Sequence, residues 1–111
     1  MPTMSLLNQA KGPLPITVNF SAPSDGASFF GITGSVWSQT ANVMIGVGVE
    51  LDGKPIGSAS IFSNGASTHR NVVPSYIPAN LAFGKHTLTL VPLTGSTISD
   101  VNDLFDVILL Y

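Results

Sequence analysis

The sequence predicts an all-β fold: an antiparallel β-sandwich with no substantial helix. Three observations support it. From Ile16 to the last residue, apolar positions recur with a period of two, the period on which strand side chains change faces. Turn-forming groups such as Pro23-Ser24-Asp25-Gly26 and Asp52-Gly53 interrupt that alternation at short intervals, as they do between short strands. About seven or eight strands in a chain of 111 residues close only as a sandwich or a barrel.

The opening MPTMSLLNQAKGPLP has prolines, a glycine and no sustained period, so residues 1–15 are expected to form a loosely held arm ahead of a single domain, 16–111. The stretch ITVNF sets Ile16, Val18 and Phe20 on one face, and APSDG supplies a turn. A second strand is expected from Ser28 to Trp37, where Phe30, Ile32, Gly34 and Val36 alternate with Phe29, Thr33 and Trp37. In NVMIGVGVELDGKPIGSASIF, Val43, Ile45, Val47, Val49 and Leu51 share a face, with Met44, Gly46, Gly48 and Glu50 opposite. Asp52-Gly53 suits a two-residue type I′ hairpin, which needs positive φ at both central positions, and the chain returns from Ile56 to Phe62.

Arg70 to Ile77 reads as a strand containing Pro74. Proline lacks a ladder donor, so this strand belongs at an edge or carries a bulge. FGKHTLTLVP turns His86, Leu88 and Leu90 one way and Lys85, Thr87, Thr89 and Val91 the other. LTGSTISD is a loop or a short strand. The last strand, Leu104 to Tyr111, is apolar on both faces: Phe105, Val107, Leu109 and Tyr111 on one, Leu104, Ile108 and Leu110 on the other. Such a strand must be covered on both sides, the second by the N-terminal arm or by another subunit. Only 9% of residues are charged, against about 25% in an average domain, which weakens repulsion between copies. Gly46 and Gly48 would let a surface approach closely. A homo-oligomer is therefore expected, with Gly46, Gly48, Leu104, Ile108 and Leu110 at its interface.

Composition also excludes partners. Net charge is −2, with four Lys and Arg together, so no basic stripe exists to follow a phosphate backbone, and nucleic acid is not an expected partner. There is no cysteine, which removes disulfides, thiol catalysis and cysteine-type zinc sites. No apolar run is long enough to cross a bilayer, so membrane insertion is not expected, and MPTMSLLNQAKGP lacks a secretory signal pattern. Gly-x-Ser-x-Gly, His-Glu-x-x-His and phosphate-loop motifs are absent, and of the six acids three are clustered and two lie on turns rather than paired across a cleft as a glycosidase requires. An enzyme is not expected.

The order PSDGASFFGITGSVWS, then a hairpin, then LAFGKHTLTLVP, then DLFDVILLY resembles the globular head of the complement and tumour-necrosis-factor superfamily. That resemblance implies a jelly roll assembled as a homotrimer, with ligand sites on loops and between protomers; bacterial and phage versions bind surface glycans or form fibre tips. It places the chain outside the cell or on a virion or cell surface. VELDGKPIGSASI with GKHTLTL is also similar to bacterial immunoglobulin-like modules, the rival fold.

SDVNDLFD gathers Asp100, Asn102, Asp103 and Asp106 within seven positions. Hard cations take six to eight oxygens, so Asp100, Asn102 and Asp103 form a candidate calcium set, although the EF-hand order is missing. The alternative is an Asx turn of Asn102 and Asp103 that launches the last strand, with Asp106 on a solvated position, or an acceptor for sugar hydroxyls. No other cofactor is expected. His69 and Arg70 lie in the polar stretch SNGASTHRN and offer donors to a glycan or carboxylate. His86 reads as a core or rim histidine. Trp37, the single tryptophan, and Tyr76 serve either as packing plugs or as platforms for a pyranose face. The expected function is carbohydrate binding by a homotrimer, with a structural fibre-head or coat role as the alternative and a small hydrolase as the third reading.

Overall fold

Nine strands and no helix build the protein in a computed structural model that describes residues 1–111: β1 (Thr3–Lys11), β2 (Ile16–Ala22), β3 (Gly26–Val36), β4 (Val43–Leu51), β5 (Lys54–Ser63), β6 (Arg70–Asn71), β7 (Ser75–Leu81), β8 (Gly84–Pro92) and β9 (Leu104–Leu110). Every strand pairing is antiparallel. One sheet runs β1-β9-β3, with β6 and β7 along the far edge of β3; the other runs β2-β8-β4-β5. The chain crosses between the sheets at β1–β2, β2–β3, β3–β4, β5–β6, β7–β8 and β8–β9. That repeated crossing is the winding of a jelly roll, and the fold is the predicted antiparallel sandwich.

Period-two alternation fills the space between the sheets. Phe30, Ile32 and Val36 of β3, Ile45, Val47 and Val49 of β4, Leu88 and Leu90 of β8, and Phe105, Val107 and Leu109 of β9 are all buried. Each such side chain contributes about 1.5–3 kcal/mol relative to leaving it exposed. Phe20 meets Phe30 edge to face at 5.9 Å and 79°. The β4–β5 hairpin turns at Asp52-Gly53 with φ of 50° and 83°, the left-handed pair that a type I′ turn demands.

Residues 1–15 are not a loose arm. Thr3–Lys11 forms β1 and pairs with β9 from Thr3↔Leu110 to Lys11↔Leu104. The sequence conceals this strand because its register slips between Ser5 and Leu7 and again between Leu7 and Ala10, with Gln9 at φ 51°. Each slip changes the outward face and erases a simple alternation. β9 lies in the middle of its sheet, between β1 and β3, so both its edges are paired.

The strand expected over Arg70–Ile77 is broken into β6 and β7 around Val72–Pro74, at the sheet edge where proline belongs. The glycines of β4 require a correction. Gly46 and Gly48 are buried by their own chain and present no open face. The end of β8 and the segment after it cover them: Leu93 N–H donates to the Gly46 carbonyl at 2.9 Å, Gly46 N–H donates to Thr97 Oγ1 at 3.2 Å, and the side chain of Val91 in β8 abuts Gly48. Packing of this loop had no signature in the local period.

The outer face of β9 is left open. Leu104 and Ile108 are 39% and 44% exposed, and Leu110 is half-buried. Register extends this strip across the sheet, with Phe29 opposite Leu110 and Pro78, and Gly31 opposite Ile108 and Tyr76. The Tyr76 ring lies over Gly31, where an added Cβ would sit 3.2 Å from it.

Candidate functional site

Three chain segments meet at one end of the sandwich: the end of β3, the β5–β6 loop and the β8–β9 loop. Trp37 joins the first to the third by a two-way backbone bridge with Ile98, Trp37 N–H to the Ile98 carbonyl at 2.9 Å and Ile98 N–H to the Trp37 carbonyl at 2.8 Å. Asp103 is the hub. Its side chain is fully buried, and it accepts from Ser35 Oγ at 2.6 Å, His69 Nδ1 at 2.6 Å and Asp100 N–H at 2.8 Å. Its backbone joins in as well: Asp103 N–H donates to the Asp100 carbonyl at 3.0 Å, and the Asp103 carbonyl accepts from Gly12 N–H at 2.8 Å. A buried carboxylate with three donors is satisfied, and losing it would strand all three.

An Asx turn is present in SDVNDLFD, but it is made by Asp100 and not by the expected Asn102 and Asp103. Asp100 Oδ1 accepts from Asn102 N–H at 2.8 Å, the two-residue closure of such a turn. Asp103, read as a calcium ligand, has both oxygens engaged inside the protein. Of the three residues in the candidate calcium set, only Asp100 keeps an exposed carboxylate oxygen without a hydrogen bond, Oδ2, 3.7 Å from His69 Nε2. Trp37 is half-buried with its ring 5.8 Å from that of His69, and its indole nitrogen is enclosed. That geometry is a plug rather than an open platform. Arg70 is half-buried in β6, backbone-paired with Val36.

So Trp37, His69, Asp100 and Asp103 come together, while Tyr76 stands apart on the sheet face and 68% exposed. Between them, on the outer face of the five-stranded sheet, lies a hollow of about 660 Å³ lined by Thr33, Gly34, Ser35, Asn71, Val72, Pro74, Asn102, Leu104 and Asp106. Its polar groups are hydroxyls, amides and a single carboxylate. Asp106 Oδ1 accepts from Gln9 N–H at 2.9 Å and Oδ2 from Thr33 Oγ1 at 3.4 Å, leaving acceptor capacity toward the hollow. A second, more apolar hollow of about 280 Å³ shares Thr33, Pro74 and Asp106 and continues past Tyr76, Ile108 and Leu110. Sequence reasoning missed Thr33, Ser35 and Asn71. Thr33 and Ser35 do occupy outward positions of β3, yet only the register Thr33↔Asp106 and Ser35↔Asn71 sets them together.

The pronounced pKa shifts lie elsewhere, at the hairpin tip. His86 Nδ1 meets Asp52 Oδ2 at 2.6 Å and Nε2 meets the Ala82 carbonyl at 2.7 Å. The hydrogen bond to Asp52, helped by that carbonyl, raises the His86 pKa above its usual value, and the same bond with Thr87 N–H lowers that of Asp52.

No protein-family model and no curated protein matches the chain. Solved structures match it in fold at low identity. The tripod (BppUct-A-L) from the baseplate of bacteriophage Tuc2009 aligns with a TM-score of 0.62 at 16% identity, over 97% of this chain and 62% of that one. The globular domain of zebrafish complement 1qA protein aligns at 0.55 and 14% identity, over 98% and 94%. The CBM36-1 domain of a multidomain xylanase from the hindgut metagenome of Trinervitermes trinervoides aligns at 0.51 and 14%, over 99% and 97%. Against dimeric latent PorU from Porphyromonas gingivalis the chain spans only 12% of the other protein's length. The fold resemblance expected from the sequence, to the complement globular head, is thus present in the structure. No helix of the protein is long and apolar enough to cross a membrane.

Proposed function

We propose that this protein is a non-catalytic glycan-binding module that works as a homotrimer at a virion or cell surface. One observation carries the reading: the hollow of about 660 Å³ on the sheet face, where Thr33, Ser35, Asn71, Asn102 and Asp106 converge beside the exposed ring of Tyr76. Hydroxyl, amide and carboxylate groups match the paired donors and acceptors of vicinal sugar hydroxyls, and an exposed aromatic ring offers its face to the C–H side of a pyranose. The likeness in fold to a carbohydrate-binding-module domain of a xylanase agrees with this reading.

The apolar strip of Phe29, Leu104, Ile108, Leu110 and Tyr76 adjoins the hollow, which favours assembly with the ligand at the protomer boundary. A contact of about 800 Å² per partner is the usual size for a specific complex. The phage baseplate tripod supports a second reading, an assembly unit whose task is the oligomer alone, because the same strip of exposed apolar residues would serve it.

A glycan array followed by titration of the best ligands separates the two. Saturable binding that Asn102→Ala and Tyr76→Ala each weaken at least tenfold supports the glycan module. Absence of binding at millimolar sugar, with the oligomer intact, leaves the assembly unit.

A further inference from the structure

We propose that His69 and Asp100 form an open site for a transition-metal dication such as zinc, with Asp103 holding the imidazole in place from inside the protein. The inference does not depend on glycan binding.

The imidazole is oriented at one nitrogen and open at the other. Asp103 Oδ1 lies 2.6 Å from His69 Nδ1, and a carboxylate facing a ring nitrogen places the N–H there, which leaves the lone pair of a neutral ring on Nε2. Asp103 is fully buried while the His69 side chain is 40% exposed, so the carboxylate lies behind the ring and Nε2 is turned outward. Trp37 tilts against the ring at 5.8 Å and 39° and restricts its rotation. A buried carboxylate fixing the tautomer and rotation of a histidine is the outer shell that metal-bound imidazoles generally have.

Asp100 is oriented in the same manner. Its Oδ1 accepts from Asn102 N–H at 2.8 Å, and Oδ2 stands 3.7 Å from His69 Nε2. That separation exceeds a hydrogen bond. It lies close to the ~3.4 Å between nitrogen and oxygen ligands on one tetrahedral zinc ion, as follows from bonds of about 2.0–2.2 Å. The donor atoms of His69, Asp100 and Asp103 all lie within 4.8 Å of one another. An imidazole beside a single available carboxylate oxygen suits zinc, nickel or copper, whereas calcium calls for six to eight oxygens. Two protein ligands leave the remaining positions to water or to a ligand's own oxygen.

The chain makes the experiment clean. It has two histidines and no cysteine, and both nitrogens of His86 are already engaged, so His69 carries the one open imidazole nitrogen. Zinc chloride, nickel chloride and calcium chloride are titrated into the full chain after chelator treatment, following heat by calorimetry and unfolding by Tm. Zinc at saturation should raise Tm by about 4 °C or more and bind one per chain. His69→Ala should abolish binding, and Asp100→Asn, which keeps the Oδ1 acceptor for Asn102 N–H, should weaken it at least tenfold; because His69→Ala also takes a donor from the buried Asp103, the zinc response of each variant is read against its own metal-free Tm. Nuclear magnetic resonance should show the His69 Nε2 resonance, and not that of His86, moving with zinc. Zinc binding that survives His69→Ala, no zinc binding at all, or calcium binding lost with Asp100→Asn but retained in His69→Ala would each overturn the proposal.

Discussion

His86 stands between two acceptors, Asp52 Oδ2 at 2.6 Å from Nδ1 and the Ala82 carbonyl at 2.7 Å from Nε2, an arrangement that favours the doubly protonated ring and raises its pKa. Phe20 stacks on it at 5.6 Å and 28°. The Asp-Gly turn is thereby tied to β8, with Asp52 Oδ1 accepting from Thr87 N–H at 2.8 Å.

This pair makes stability depend on pH in a defined window. His86 has a raised folded pKa, so its contribution is complete below the ordinary value of 6.5 and is lost as pH rises through the folded value. Asp52 has a lowered folded pKa, so its contribution is present above the ordinary 3.8 and is lost as pH falls through the folded value. The urea midpoint of the protein should exceed that of His86→Gln most between about pH 4 and 6.5, with the gap narrowing on either side. A gap that stays flat from pH 3 to 9 would show the pair to be unimportant.

Removing residues 1–11 should do more than trim a tail. β1 covers one edge of β9 through six register pairs and packs Met4, Leu6 and Leu7 against the core. Their loss costs several kcal/mol out of a total of about 5–15, so the truncated chain should lose its cooperative thermal transition. A truncated chain that still melts cooperatively within ~5 °C of the full protein would return this segment to a dispensable arm.

Gly46→Ala tests the close approach of β5 to β4. A Cβ there would fall 2.4 Å from the Ala59 carbonyl oxygen, a backbone atom, and the variant should lose about 1–3 kcal/mol. Gly95→Ala, where nothing lies within 4 Å of the new carbon, is the matched control and should change Tm by less than ~2 °C. Equal melting of the two variants would contradict the close approach.

Ile108→Asp and Leu110→Asp address the open strip. If copies of the chain cover it, either change should reduce the solution mass to that of one 11.5 kDa chain without unfolding it, since Ile108 is 44% exposed. Light scattering decides the point; an oligomer that persists in both variants places the interface elsewhere.

Local pattern was enough for several elements. The run Val43–Leu51, the Asp52-Gly53 turn and the alternation of Leu88 and Leu90 could be read directly, because a side chain's face depends only on its parity and a type I′ turn only on its two residues. Pro74 announced an edge for the same local reason. β1 escaped since two register slips scramble parity, and Gly46 and Gly48 were misjudged since the loop that buries them is distant in sequence.

The candidate site was legible only in its residue types. His69 and Asp103 are 34 positions apart and Ser35 and Asp103 are 68 apart, and no periodicity links such distances. By itself the sequence determined a charge-poor sandwich whose last strand is too apolar for one covered face, because alternation and hydrophobicity are properties of each segment alone. Which strand flanks β9, which carboxylate is buried beneath His69, and which polar groups share a hollow were decided by strand register and loop packing. Those arise only when both sheets close over a common core.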